Sequence, residues 1–334
     1  MGNRALRVCQ VGKESVWGTS VPATAVMGGI EDVTIKPMIT NTQRRYLRGD
    51  YSPAHAVVQT DTRGKAMVSG DFTYEDLPMI LNSAIKGGVT GTVTDTSAYT
   101  YAFPFPLTAS PAVESRTWEA YDGQQEYELT SGLVESFTLS GAAANDGVVK
   151  FVANIIGVAA TKSTLTGALT ARVVNPLAAG NVKLYIDALG GTVGTTVKAD
   201  TLIDWTFTYN TGLHLKKFQS GGLAPTLFGY GLPSAQLVVT AEFNSVAVAE
   251  LDAHVAGTGR LYRILGEGGL AGSATAKYTL DIQCAGDITD ASDLWGDRDG
   301  NTTMQLTIKN RYDAGAFANW GKINVINKVV TLPG

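Results

Sequence analysis

Apolar and polar residues alternate along several stretches of the chain. The apolar positions are Leu133, Phe137, Leu139; Val149, Phe151, Ala153, Ile155; Ile203, Trp205, Phe207, Tyr209; Leu237, Val239, Ala241, Phe243; Tyr278, Leu280, Ile282; and Met304, Leu306, Ile308. Successive strand side chains point to opposite faces, so each stretch predicts a β-strand with one buried and one polar face. Asn145-Asp146-Gly147 and Asp299-Gly300-Asn301 fall between such stretches. Tight hairpins need left-handed backbone, which Asn, Asp and Gly adopt with least strain.

Elsewhere the period changes to that of a helix. Leu77, Ile80, Leu81 and Ala84 predict a helix over about 76–86, with Thr73 or Asp76 as N-cap, Pro78 in the first turn and Gly87 as terminator. Ala247, Leu251 and His254-Val255 after Asn244-Ser245 predict a second over about 245–256. Each helix is expected to lie across its own set of strands. The two regions also match in order: Asp71-Phe72 before the first helix answers to Glu242-Phe243 before the second. Leu81 and Leu251, Ile85 and Val255, and Gly87 and Gly257 share a spacing of 170 residues, and Phe72 and Phe243 are 171 apart. This predicts one strand-plus-helix unit present twice, as 1–158 and 159–334, a device of structural assembly more than of catalysis. Residues 161–200, with the breakers Asn175-Pro176 and Gly190-Gly191, are expected to form an inserted pair of strands joining the units. Residues 37–61 carry little apolar periodicity and read as an arm that reaches a neighbour, with a shorter counterpart at 217–233.

Composition narrows the function. Hydrophobic residues make up 44% and charged ones 17%, which belongs to a folded chain and not a disordered one. The net charge of -4 offers no basic face for gripping phosphates. Cys9 and Cys284 are the only cysteines, too few for a disulfide framework or a thiolate metal site, and Cys284 falls on the buried side of a predicted strand. Arg4 and Arg7 have no apolar run behind them, and no stretch is long enough to span a membrane, so synthesis and assembly in a cytoplasm are expected.

The order of motifs resembles the tail tube (major tail) proteins of long-tailed bacteriophages. Gly12-Lys13-Glu14-Ser15-Val16-Trp17-Gly18-Thr19 is similar to that family's opening, and Gly70-Asp71-Phe72-Thr73-Tyr74-Glu75-Asp76-Leu77 leads into the first helix. Tyr99-Thr100-Tyr101-Ala102-Phe103, Arg116-Thr117-Trp118-Glu119, and Val182-Lys183-Leu184-Tyr185-Ile186-Asp187 with Gly194-Thr195-Thr196 follow in order. The resemblance implies a mainly β fold of two tandem tail-tube-like β-sandwich units, each with one flanking α-helix, whose strands join those of neighbours in an inter-subunit β-barrel. It implies a structural virion protein of the tail, self-assembled in the host cytoplasm into stacked rings through which DNA is ejected without specific binding. A duplicated chain would need three copies for a pseudo-hexameric ring. Tape measure and terminator proteins of the tail are the other partners implied.

No cofactor, metal or catalytic residue is expected. Gly-x-Ser-x-Gly, His-Glu-x-x-His and phosphate-loop motifs are missing, and His55, His214 and His254 have no ligand partner at suitable spacing. The acids Asp287, Asp290, Asp293, Asp297 and Asp299 lack calcium-loop spacing and read as a solvated hairpin. Glu119 with Asp122 is the best carboxylate pair an enzyme reading can offer. Arg44, Arg45, Arg48 and Asp50 mark the arm as an inter-ring or inter-subunit contact, where guanidinium groups meet carboxylates. Ser136, Thr138, Ser140, Lys150 and Asn154, with Gln236, Thr240 and Glu242, stand opposite the apolar strand faces and are the channel-lining candidates. The alternative is a β-sandwich carbohydrate- or receptor-binding virion module that stacks ligands on Trp295 and Trp320.

Overall fold

The alternating stretches become strands of a mainly β, antiparallel protein. It is known here as a computed structural model that describes residues 6–121, 123–143, 147–219, 222–298 and 300–333. The first run of elements is β1 (Val8–Lys13), β2 (Ala25–Val26), β3 (Ile30–Arg44), β4 (Ala56–Asp71), α1 (Leu77–Ala84), β5 (Thr92–Asp95), β6 (Ala98–Pro104), β7 (Arg116–Tyr121), β8 (Glu126–Ala142), β9 (Lys150–Gly157) and β10 (Ala159–Lys162). The second is β11 (Val182–Ala188), β12 (Val197–Lys198), β13 (Leu202–Asn210), β14 (Leu213–Lys216), β15 (Leu227–Tyr230), β16 (Ser234–Glu242), α2 (Ser245–Val255), β17 (Arg260–Leu270), β18 (Lys277–Arg298), β19 (Asn301–Asn310) and β20 (Gly321–Asn327).

Eight strands form one antiparallel ladder in the order β3, β4, β9, β8, β13, β16, β19, β18. The long strands β8 and β18 each serve a second sheet with their N-terminal halves. There β8 lies between β7 and β10, with β1 and then β2 beyond β7. Likewise β18 lies between β17 and β20, with β11 and then β12 beyond β17. The hairpin β5–β6, from the first run, pairs with β20 and extends this sheet.

The two runs therefore pair their strands in the same order, β1, β2, β3, β4, β7, β8, β9, β10 answering to β11, β12, β13, β16, β17, β18, β19, β20, with a helix after β4 and after β16. Their irregularities coincide too. Glu31 in β3 and Ile203 in β13 are extra residues at matching places, as are Glu135 in β8 and Thr289 in β18. Bulges fix register, so matching bulges keep both runs in one register. The backbone N–H of Phe72 donates to the Val149 carbonyl at 2.8 Å, and that of Phe243 to the Thr302 carbonyl at the same distance. One apolar core runs through both, taking in Val68, Phe137 and Trp118 with Phe207, Leu237 and Ile264.

Several expectations change. Residues 161–200 do hold a pair of strands, β11 with β12, but these are the second run's counterparts of β1 and β2 and not an insertion, while β10 pairs with β8 of the first run. The first helix is buried on every side, not along one stripe. Its N-cap residue Asp76 does not cap with its side chain; the carboxylate instead accepts from the Gly28 and Gly29 N–H groups at 2.9 and 3.0 Å and pairs with Arg172. The left-handed residue after α1 is Gly88, at φ 68°, and not Gly87. In α2 Asn244 caps as expected, its Oδ1 accepting from Val246 and Ala247. The buried positions there are Ala247, Glu250 and Ala253, and Val255 is exposed. Asn145, Asp146 and Asp299 of the two expected turns lie outside the described residues, while Gly147 and Gly300 have φ of 66° and 83°.

Candidate functional site

The eight-stranded ladder has one apolar and one polar face. Val33, Ile35, Val68, Ala153, Phe137, Leu139, Trp205, Phe207, Val239 and Leu306 are buried on the first. On the other, side chains line up across the strands. One row reads Asp32, Ser69, Val152, Thr138, Thr208, Gln236, Lys309 and Asp287, each residue paired with the next. A parallel row reads Asp71, Lys150, Ser140, Thr206, Val238, Thr307 and Asp290. Asn154 and Ser136 belong to a third row, with the Asn154 amide donating to Ser136 Oγ at 3.1 Å. Thr240 and Glu242 stand opposite Gln305 and Thr303. Ser136, Thr138, Ser140, Lys150, Asn154, Gln236, Thr240 and Glu242 thus share a single surface.

The join between the two runs crosses the middle of this face. β8 and β13 pair from Ser136 opposite Asn210 to Ala142 opposite Asp204, and Thr138 Oγ1 meets Thr208 Oγ1 at 3.2 Å across the join. On the apolar side Trp205 lies against Gly141, where a Cβ would fall 2.8 Å from its Nε1.

Charges on the polar face are mixed and largely paired. Lys150 Nζ donates to Asp71 at 2.6 Å and to Glu31 at 2.9 Å, hydrogen bonds that hold its ammonium well above the ordinary lysine range. Lys65 lies 3.7 Å from Glu135. Lys309 stands opposite Gln236 and Asp287, Lys36 stands opposite Lys65, and Asp204 pairs with Arg298. Asp32, Ser69, Thr206, Thr208 and Thr307 complete the surface and were not among the sequence candidates, although the alternation Trp205, Phe207, Tyr209 already implies that Thr206 and Thr208 face the other way.

The arm is a two-stranded ribbon and not a free connection. β3 and β4 stay paired out to Arg44 opposite Ala56. Its tip is held by its own bonds: His55 N–H to the Arg44 carbonyl at 2.8 Å, Tyr46 N–H to His55 Nδ1 at 2.9 Å, and His55 Nε2 with Asp50 at 2.9 Å. Arg48 sits over the Tyr46 ring at 5.3 Å. Arg44, Arg45, Arg48 and Asp50 are exposed there, beside fully exposed Leu47 and Tyr51.

The remaining candidates have structural settings. Glu119 is buried and accepts from Ala23 N–H, Thr166 N–H and Thr166 Oγ1; Asp122 lies outside the described residues. Glu14 of the opening motif is buried and accepts from Thr117 Oγ1 and from the Ser131 N–H and hydroxyl. His254 Nδ1 bonds the Ile288 carbonyl at 2.8 Å. Asp287 pairs with Arg311, and Asp297 accepts from Gly300 N–H. Cys9 and Cys284 are buried, and burial pushes the Cys284 thiol up to about 12. Of the two tryptophans that could stack a sugar, Trp295 is 79% exposed, but Trp320 is 9% exposed and donates its indole N–H to the Pro106 carbonyl. Compared with protein-family models and with curated proteins, the chain matches none.

Proposed function

We propose that the chain is a structural subunit of a bacteriophage tail tube. Each run of strands acts as one tail-tube-like unit, a β-sandwich with its flanking helix. The reading rests on the β8–β13 join: two runs of identical pairing order meet edge to edge, and among the described residues the resulting ladder ends in two edges that no further strand covers, β3 and the outer half of β18, where His254 of α2 bonds the Ile288 carbonyl. Unpaired strand edges are templates for further pairing unless something blocks them. Three copies joined in the same manner close an inner β-barrel whose apolar face is covered by the second sheets and whose polar face lines a channel. DNA passes that wall, which binds no cofactor and catalyses nothing. Rings stack through the arm, and tape measure and terminator proteins meet the tube inside the virion tail. Among the described residues no helix is long and apolar enough to cross a membrane.

Negative-stain electron microscopy of purified protein tests this. Rings or tubes are expected, with top views of pseudo-sixfold outline containing three chains. Six chains per ring would remove the duplicated-unit stoichiometry, and a protein that stays monomeric at every concentration would remove the tube.

A further inference from the structure

The join inside the chain specifies what fits its two open edges. β8 holds in the first run the place that β18 holds in the second, down to the extra residue: Glu135 between Val134 and Ser136, Thr289 between Ile288 and Asp290. β3 holds the place of β13, again down to the extra residue, Glu31 or Ile203. β8 takes β13 on its outer side. By the same geometry the strand missing from the outer side of β18 is β3. These two strands stand at opposite ends of one ladder, so they meet between chains.

We infer that the outer edge of β18 pairs with β3 of a second copy of this chain, antiparallel, with Asp290 opposite Met38 and Ser292 opposite Lys36. The register is that of Ser136 opposite Asn210 and Thr138 opposite Thr208, carried over by the matched bulges. Beyond Ser292 the strands differ, since residues 293–295 stand opposite Met304 alone and Asp293 and Trp295 have φ of 49° and 70°. The inferred register therefore ends at Ser292. Closure of the ring rests on the tube reading; the strand pairing itself does not.

Backbone direction agrees with this. Across the internal join the Thr211 N–H donates to the Glu135 carbonyl and the Ala143 N–H to the Ile203 carbonyl, both at 3.0 Å. Antiparallel residues alternate the side to which they turn their polar groups, so Tyr209, Phe207 and Trp205 face β8. Their counterparts Pro37, Ile35 and Val33 face the open edge. Pro37 has no N–H to give across that edge, so in the inferred pairing one ladder bond, the one toward Ala291, is left unmade. Charge agrees within that register: Lys36 of β3, opposite Ser292, stands diagonally across from Asp290 of β18. Ile39, next to Met38, is 54% exposed in the single chain, and Leu294 and Trp295 are exposed on the facing edge.

Met38 and Asp290 form a non-hydrogen-bonded pair in this register, with facing Cα atoms about 4.5 Å apart, within the range of about 4.4–6.8 Å that a disulfide spans. Both positions are exposed and both native cysteines are buried, so cysteine substitution reports only the new contact. The variant carrying Met38→Cys and Asp290→Cys, oxidised under assembly conditions, should run on non-reducing gels as a covalent ladder ending at the trimer. An equal mixture of the two single variants should stop at dimers, and Thr34→Cys with Asp290→Cys should cross-link at least tenfold less. Rings without the matched cross-link, or with the mismatched one dominant, overturn the pairing while the tube reading stands. The matched cross-link without rings supports the pairing and removes the tube. Absence of both rings and cross-link overturns the two together.

Discussion

At the scale of single residues, a few polar groups decide how distant parts of the chain are tied. Asp95 ends β5 and accepts from the backbone N–H groups of Ala274 and Thr275 at 3.0 Å and of Ala276 at 3.3 Å, fastening the first run to a loop of the second. The bond from Thr275, with those from Ala274 and Ala276, stabilises the carboxylate and draws its pKa from 3.8 down to about 2. A depressed carboxylate contributes above its unfolded pKa and ceases to as pH falls through the folded one. The tether is therefore intact above about pH 4 and is lost toward pH 2. NMR shifts of the 274–276 amides should titrate with a midpoint of about 2, and Asp95→Asn should abolish that titration. A midpoint near 3.8 would show that the carboxylate is not held by the loop.

At the scale of elements, the arm and the hairpin β14–β15 occupy the same place in the two runs and meet different fates. β14–β15 folds back onto the first run: Leu213 joins Leu133 and Ile156, with Trp17, Phe228 and Tyr230 packed around them. Trp17 and Phe228 have ring centroids 4.7 Å apart. Among the described residues no such apolar cluster covers the arm tip. Replacing residues 45–55 by an Asn-Gly turn should leave a folded protein, its thermal midpoint moved by less than about 3 °C, because the tip contributes nothing to the core. The variant should form no stacked tubes, and tubes of normal length would show that the arm does not join rings. The same contrast explains what was legible in the sequence. Strands such as β9, β13, β16 and β19 alternate because one face is buried, and α2 carries its capping Asn244. The ribbon of β3 and β4 beyond Pro37 has both faces exposed, so Ile39, Val57 and Val58 follow no period. A pair of strands was expected where β11 and β12 lie, but not their equivalence to β1 and β2, because a two-residue strand such as Val197–Lys198 is defined by its partner and not by its pattern. The polar face was readable strand by strand, but its rows exist only through pairings between residues far apart in sequence, and the open edges only through topology.

At the scale of the whole molecule, the polar face would, under the proposed function, be the wall that DNA meets. A wall rich in unpaired Lys and Arg would bind phosphates by releasing counterions. Here Lys150 is held by Asp71 and Glu31, carboxylates nearer to it than Glu242, and the arm's arginines lie beyond the ladder. Assembled protein should bind duplex DNA more weakly than about 10⁻⁴ M at physiological salt, with little change when salt is lowered. Tight binding that falls steeply with salt in an electrophoretic shift assay would refute this account of the wall.

The pairing of β6 with β20 sets a condition on biosynthesis. β20 is made after every other described strand, and it carries Ile323 opposite Phe103 and Val325 opposite Tyr101. The chain just beyond it is fastened to the first run as well, through Asn327 to the Tyr74 carbonyl and the Tyr101 hydroxyl to the Val329 carbonyl. Contacts between residues so far apart close late, because the loop entropy between them is lost before they form. A nascent chain on the ribosome therefore keeps an incomplete second sheet until this strand emerges. Under the proposed assembly, a product truncated before β20 would lack the strand that flanks the N-terminal half of β18, the strand carrying one of the two inferred edges.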